Sequence, residues 1–130
     1  MKEGHGEGAR IYAELRGLAR ATEMQDLAQG IGAEAVIADL SLEFVFGKVW
    51  GRDGLDRKQR SLVTIAVLIA LRQTAELQNH LRVGLANGLT QTEIEEAIVQ
   101  TAPYAGFPAA WTAARALARV TSDIQQPSSY

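Results

Sequence analysis

Apolar residues recur along most of this chain at spacings of three and four, the period of a helix and not of a strand. Ile11, Leu15 and Leu18 keep that spacing in one segment, and Val36, Ile37, Leu40 and Phe44 keep it in the next. No run alternates cleanly with period two. Gln29-Gly30-Ile31-Gly32 separates the first helical region from the second, and Gly51-Arg52-Asp53-Gly54 separates the second from the third. The third helix opens at Asp56, an N-cap residue with Gln59 three positions on and Leu55 placed as a hydrophobic staple. From Ser61 to Leu71 it runs eleven residues without a charge and is apolar on every side, so neighbours or other subunits must enclose it. A fourth helix spans about Ala75 to Asn87, where Asn87-Gly88 can adopt the left-handed turn that closes a helix. Thr90 and Glu93 form a capping box for a fifth, with Ile94, Ala97, Ile98 and Thr101 as its buried stripe and Pro103 near its end. After Gly106, Pro108 fits the first turn of a sixth helix reaching about Val120, with Trp111, Ala114, Leu117 and Ala118 expected inward. The pattern predicts an all-α protein of about six helices.

Twenty-one alanines strengthen the helical reading and let backbones approach closely. The length, 130 residues without a repeat or an internal linker, predicts a single domain over 1–130. Residues 1–8, glycine-rich and without an apolar side chain after Met1, are expected to be loose, as are residues 122–130. With 47% hydrophobic and 22% charged residues the chain can build a core, which argues against disorder. Thirteen basic against fifteen acidic residues leave a formal charge of −2, which removes the electrostatic case for nucleic acid. The eleven-residue uncharged run falls short of the roughly 20 needed to cross a bilayer, so no membrane partner is expected. The opening MKEGHGEGAR carries acids and glycines where a signal peptide would carry a basic patch and an apolar stretch, which favours the cytoplasm. Cysteine is absent, which excludes thiol nucleophiles, CxxC redox chemistry and cysteine-ligated metals.

Two histidines exist, His5 in the glycine-rich tail and His80 in the fourth helix, and a pair so separated makes a poor metal site; none is expected. At about 100° per residue, with Leu77 at zero, Leu81 and Leu85 fall near 40° and 80°, while His80 falls near 300°, at the border of the buried arc. Asn87 and Glu76 lie along the same edge. A Glu-x-x-x-His pair there suits a general acid–base unit, because the carboxylate can orient the imidazole and raise its basicity; it equally suits an ordinary polar helix border. Trp50, beside a glycine-rich turn, can wall a pocket or cap the core. Tyr104, between Pro103 and Gly106, can line a pocket or make a structural hydrogen bond. Arg60, at the head of an apolar helix, needs an anion, either Asp56 four residues earlier or a substrate carboxylate.

Three stretches, FGKVWGRDGLDRKQRSLVTIAVLIAL at 46–71, ELQNHLRVGLANGLTQTEIEEAI at 76–98 and PYAGFPAA at 103–110, resemble the carboxymuconolactone decarboxylase family, and the likeness covers residues 44–120. The resemblance implies the all-helical fold shared with the alkylhydroperoxidase D group and assembly into homo-oligomers, trimers or hexamers. It implies a cofactor-free decarboxylase of a small carboxylated lactone such as 4-carboxymuconolactone, a reaction of aromatic catabolism. His80 falls at the family's characteristic histidine. On this reading His80 carries the proton, Glu76 steadies it, Arg60 holds a carboxylate, Trp50 and Tyr104 wall the pocket, and Asn87 lies on the same edge. The chain departs from the namesake enzymes at Lys48, where an acidic residue is expected, and at Ala105, where cysteine is frequent. Without the C-x-x-C pair, the peroxidase chemistry of the related group is excluded. An isomerase or cyclase on the same fold, and a non-catalytic oligomeric binding protein, are the alternatives.

Overall fold

The computed structural model describes residues 5–126, and among them every regular element is helical. The expectations of loose ends at 1–4 and 127–130 lie outside the described residues. In chain order come α1 (Gly6–Arg16), α2 (Leu18–Ala28), α3 (Ala33–Leu40), a π-helical stretch π1 (Ser41–Val49), α4 (Arg57–Ala70), α5 (Thr74–Ala86), α6 (Gln91–Ala105) and α7 (Phe107–Gln125). The chain forms two compact units, one ending at Asp56 and the other beginning at Arg57.

Among the described residues seven α-helices stand where about six were expected, because the first helical region is cut at Gly17. Its φ of 94° and ψ of 157° belong to a region that side chains other than hydrogen essentially do not enter. The glycine ends one helix and begins the next.

In the first unit α1 packs on α2 and π1, α2 on α3, and α3 on π1. Tyr12, Ala21, Ala28, Ala38 and Leu42 form its core, with Phe46 packed against them. Residues 5–8 are not loose. His5 is fully buried, with its Nε2 paired to Oδ1 of Asp39. Gly8 lies so close to π1 that a Cβ there would sit 1.7 Å from the carbonyl oxygen of Leu42. The glycine that suggested disorder is a contact residue. In π1 the backbone bonds widen to five residues, as between Trp50 N–H and the Val45 carbonyl at 2.9 Å. Phe46 meets Tyr12 edge-on at 4.7 Å and stacks on Trp50 at 6.5 Å between centroids. The stripe Val36, Ile37, Leu40 and Phe44 has the helical period but faces outward, and Ala35, Ala38 and Leu42 are the buried positions.

In the second unit α4 packs on α5, α6 and α7, and α7 packs also on α5 and α6. Ile65, Ile69, Leu77, Leu81, Ile94, Ile98, Leu117 and Val120 fill the core. The expected capping box is present: Thr90 Oγ1 accepts from Glu93 N–H at 3.0 Å, and the Glu93 carboxylate accepts from Thr90 N–H at 2.9 Å. That backbone hydrogen bond is the chief cause that holds the Glu93 carboxyl below its ordinary pKa. At the end of α5 the turn closes through Gly88 at φ 101°, with Leu89 N–H bonded to the Gly84 carbonyl at 2.9 Å and the Leu89 side chain buried.

Within one chain α4 buries Ser61, Ile65 and Ile69 and leaves Val63 and Val67 exposed, so its second apolar face is not covered by neighbouring helices. One expectation is corrected here. The inward face of α7 is Ala109, Ala110, Ala113, Ala116, Leu117 and Val120; of the expected set only Leu117 is buried, and Trp111 is 62% exposed. Both stripes of α7 have helical spacing, and the alanine stripe wins because its small side chains allow α4, α5 and α6 to close on it. Helix α7 also continues through Gln125, past the point where a loose end was expected.

Replacing Gly8 by Ala is expected to destabilise the fold by about 1–3 kcal/mol, the scale of forced overpacking, because the backbone carbonyl of Leu42 cannot yield as a side chain would. Denaturant midpoints of the Gly8→Ala and parent proteins measure the difference.

Candidate active site

Helix α5 carries His80 one turn before Gly84, on the side by which α5 approaches α4. A Cβ on Gly84 would lie 3.2 Å from Ile65 Cδ1 and 3.7 Å from Ser61 Cβ, so the two helices cross at this glycine. The His80 ring is half-buried, with Nδ1 shut off from solvent. That matches the border position given by the helical wheel.

Across the crossing, the first turns of α4 present Arg60 and Ser61. Arg60 is half-buried with its Nε withdrawn from water, and Ser61 is fully buried. Asn87, at the end of α5, donates from Nδ2 to Ser61 Oγ at 3.1 Å. The bond ties the end of α5 to the start of α4 and brings Arg60, Ser61 and Asn87 to one end of the helix pair. Ser61 had been read only as the first residue of an apolar run. Its position four residues before Ile65, on the buried stripe, was the available signal that its hydroxyl would need a partner.

The other sequence candidates have different surroundings. Glu76 is exposed, and its carboxylate accepts from Asn79 Nδ2 at 3.3 Å. Tyr104 is 85% exposed near the end of α6. Trp50 belongs to the first unit, where it is buried against Phe46. Lys48 is exposed on π1 and Ala105 is half-buried at the last residue of α6. A separate apolar groove of about 450 Å3 runs between α6 and α7, lined by Val99, Pro103, Phe107, Trp111 and Ala114 among others, without His80. Among the described residues no group of three or more His, Asp and Glu converges as a metal site.

A half-buried imidazole on α5 and a half-buried guanidinium on α4 are groups able, respectively, to move a proton and to hold a carboxylate. The profile of the carboxymuconolactone decarboxylase family matches residues 37–119, a span that contains His80, Arg60, Ser61 and Asn87. The chain belongs to the carboxymuconolactone decarboxylase family. Over 81 residues, 62% of this chain and 60% of the relative, it is 47% identical to 4-carboxymuconolactone decarboxylase of Acinetobacter baylyi. Over 92 residues, 71% of this chain and 64% of the relative, it is 38% identical to nitrosuccinic acid decarboxylase of Metarhizium robertsii. The chain thus spans about three-fifths of the length of these curated relatives. Lacking cysteine, this family member has no CxxC pair and cannot run the disulfide chemistry of alkylhydroperoxidases. None of its helices is long and apolar enough, among the described residues, to cross a membrane.

The Ser61–Asn87 bond is expected to couple α4 and α5 by about 1 kcal/mol, the ordinary net value of a hydrogen bond in a protein. A double-mutant cycle with Ser61→Ala and Asn87→Ala, read by chemical denaturation, measures it; strictly additive losses would show that the bond contributes nothing.

Proposed function

We propose that the protein is a cofactor-free decarboxylase of a small carboxylated lactone such as 4-carboxymuconolactone, acting as a homo-oligomer in the cytoplasm. The observation that carries this reading is that two curated relatives, from a bacterium and a fungus, are both named decarboxylases and both align over most of this chain. The shared term is loss of carbon dioxide from a small acid. A half-buried histidine and a half-buried arginine on α5 and α4 suit that chemistry.

In the proposed reaction the bond between the ring carbon and the carboxylate breaks, and its electron pair delocalises toward the lactone carbonyl as an enolate. His80 then delivers a proton to carbon and is recharged from solvent, so charge balances with neutral carbon dioxide as the leaving group. Arg60 binds a carboxylate and Asn87 completes the polar edge. Tyr104, on α6 of the same unit, walls the pocket in this reading. Withdrawal of the site from water favours departure of the neutral gas over retention of the anion. Glu76, whose carboxylate is bonded to Asn79, would assist His80 by its field across one turn of helix.

If this is the reaction, His80→Ala lowers turnover about 100-fold or more, the scale of a lost general acid, while substrate affinity changes less. Arg60→Ala should do the reverse and raise KM. Carbon dioxide release from a panel of carboxylated lactones, followed for both variants, tests the assignment. An unchanged rate in His80→Ala would remove His80 from the chemistry and favour a binding protein or another set of catalytic residues.

Assembly into a trimer or hexamer is supported by apolar surface on both units. Val63 and Val67 are exposed on α4 and Leu71 just past its end, Ile37, Leu40 and Phe44 in the first unit, and Phe107 and Trp111 beside the α6/α7 groove. Sedimentation at micromolar concentration is expected to give several times the mass of one chain, and Trp111→Glu is expected to reduce it. A stable, folded monomer would overturn the oligomer.

A further inference from the structure

The α5/α7 seam carries a second polar concavity, far around α5 from His80. A pocket of about 180 Å3 is lined by Thr74, Gln78, Thr112, Arg115, Ala116 and Arg119. At about 100° per residue Gln78 points roughly 160° away from His80, so the pocket lies on the opposite side of α5 from the candidate active site.

Its charge is unbalanced. Arg115 and Arg119 stand one turn apart on α7, a like-charge spacing that is unfavourable unless an anion intervenes. Elsewhere in the described chain, Arg10 is held by Glu7 and Glu14, and Arg82 by Asp123 at 3.0 Å. No carboxylate lines the pocket with the two α7 arginines. Asp123, one turn beyond Arg119, is the partner of Arg82, and Glu76 falls on the far side of α5 from Thr74. The Arg115 guanidinium lies 5.5 Å from the centre of the Trp111 ring, a stacking contact that leaves its hydrogen-bonding edge available.

The neutral lining suits the same ligand. Thr74, the first residue of α5, puts a hydroxyl-bearing side chain on the pocket wall. Gln78 offers an amide. Thr112 already donates to the Pro108 carbonyl at 3.1 Å and serves as wall. Two guanidinium forks with neutral donors match a small dianion, and the volume admits one phosphate group or a short dicarboxylate but not a nucleotide.

We infer that the α5/α7 seam is a binding site for a small oxyanion of charge near −2, held chiefly by Arg115 and Arg119 and separate from the decarboxylase site. The full-length protein is titrated with inorganic phosphate and, separately, with succinate, each at ionic strength fixed by sodium chloride, and followed by calorimetry and thermal melting. The expected result is saturable binding of at least one of the two, with a rise in melting temperature. The double variant Arg115→Gln, Arg119→Gln should weaken it about tenfold or more, as expected for losing charge-assisted hydrogen bonds. Arg119→Lys, which keeps the charge and loses the fork, should fall between. Arg10→Gln, which removes an equal surface charge in the first unit, should bind as the parent does. Saturation by phosphate alone identifies a phosphate site, and by succinate alone a carboxylate site. The proposal is overturned if neither anion saturates, or if the double variant binds as tightly as the parent.

Discussion

Close approach to the alanine face of α7 is the constraint on which the second unit is assembled. Helices α4, α5 and α6 all pack against α7, and three helices can share one partner only if that partner presents little side-chain volume. Ala109, Ala113 and Ala116 supply that surface, and Leu117 and Val120 extend it into the core. With α4 and α5 both seated on α7, their own crossing is fixed at Gly84. The Asn87 amide then reaches the Ser61 hydroxyl, while His80 on α5 and Arg60 on α4 stay half-buried. A larger residue on the alanine face would separate the helices that position these groups.

The polar groups of the candidate site owe their character to partial burial. His80 and Arg60 each have one nitrogen withdrawn from solvent while the residue as a whole remains half-exposed. Full burial would make a cation costly, and full exposure would weaken its attraction for a substrate anion in water. An intermediate position strengthens the field at the site without excluding the ligand.

Charge is distributed in a way that the net value of −2 conceals. Arg10 is matched by acids within a turn and Arg82 by an acid across a helix pair, whereas Arg115 and Arg119 line a small concavity with neutral donors. The α7 residues that face away from the core thus differ along the helix. Phe107 and Trp111 contribute an apolar groove with α6, and Arg115 and Arg119 a basic one with α5.

Local chemistry made much of the fold legible in the sequence. The helical period excluded strands, and the capping box at Thr90 and Glu93, the close at Gly88 and Pro108 in the first turn of α7 each involve groups only a few residues apart. His80 at the border of α5 followed from angle alone, and the three motif stretches were enough to name the family. What the sequence could not decide were choices between equally periodic faces and contacts across long separations. Trp111 and the alanines of α7 both satisfy a helical stripe, as do Phe44 and Leu42 in the first unit, and only packing against other helices selects which is buried. His5 with Asp39, Gly8 against the Leu42 carbonyl, and Ser61 with Asn87 join residues 26 to 34 positions apart or nearly so. Glycine in particular reads the same whether it frees the chain or admits a neighbour, because the residue is defined by what it lacks, and the atom that fills the space belongs to another helix.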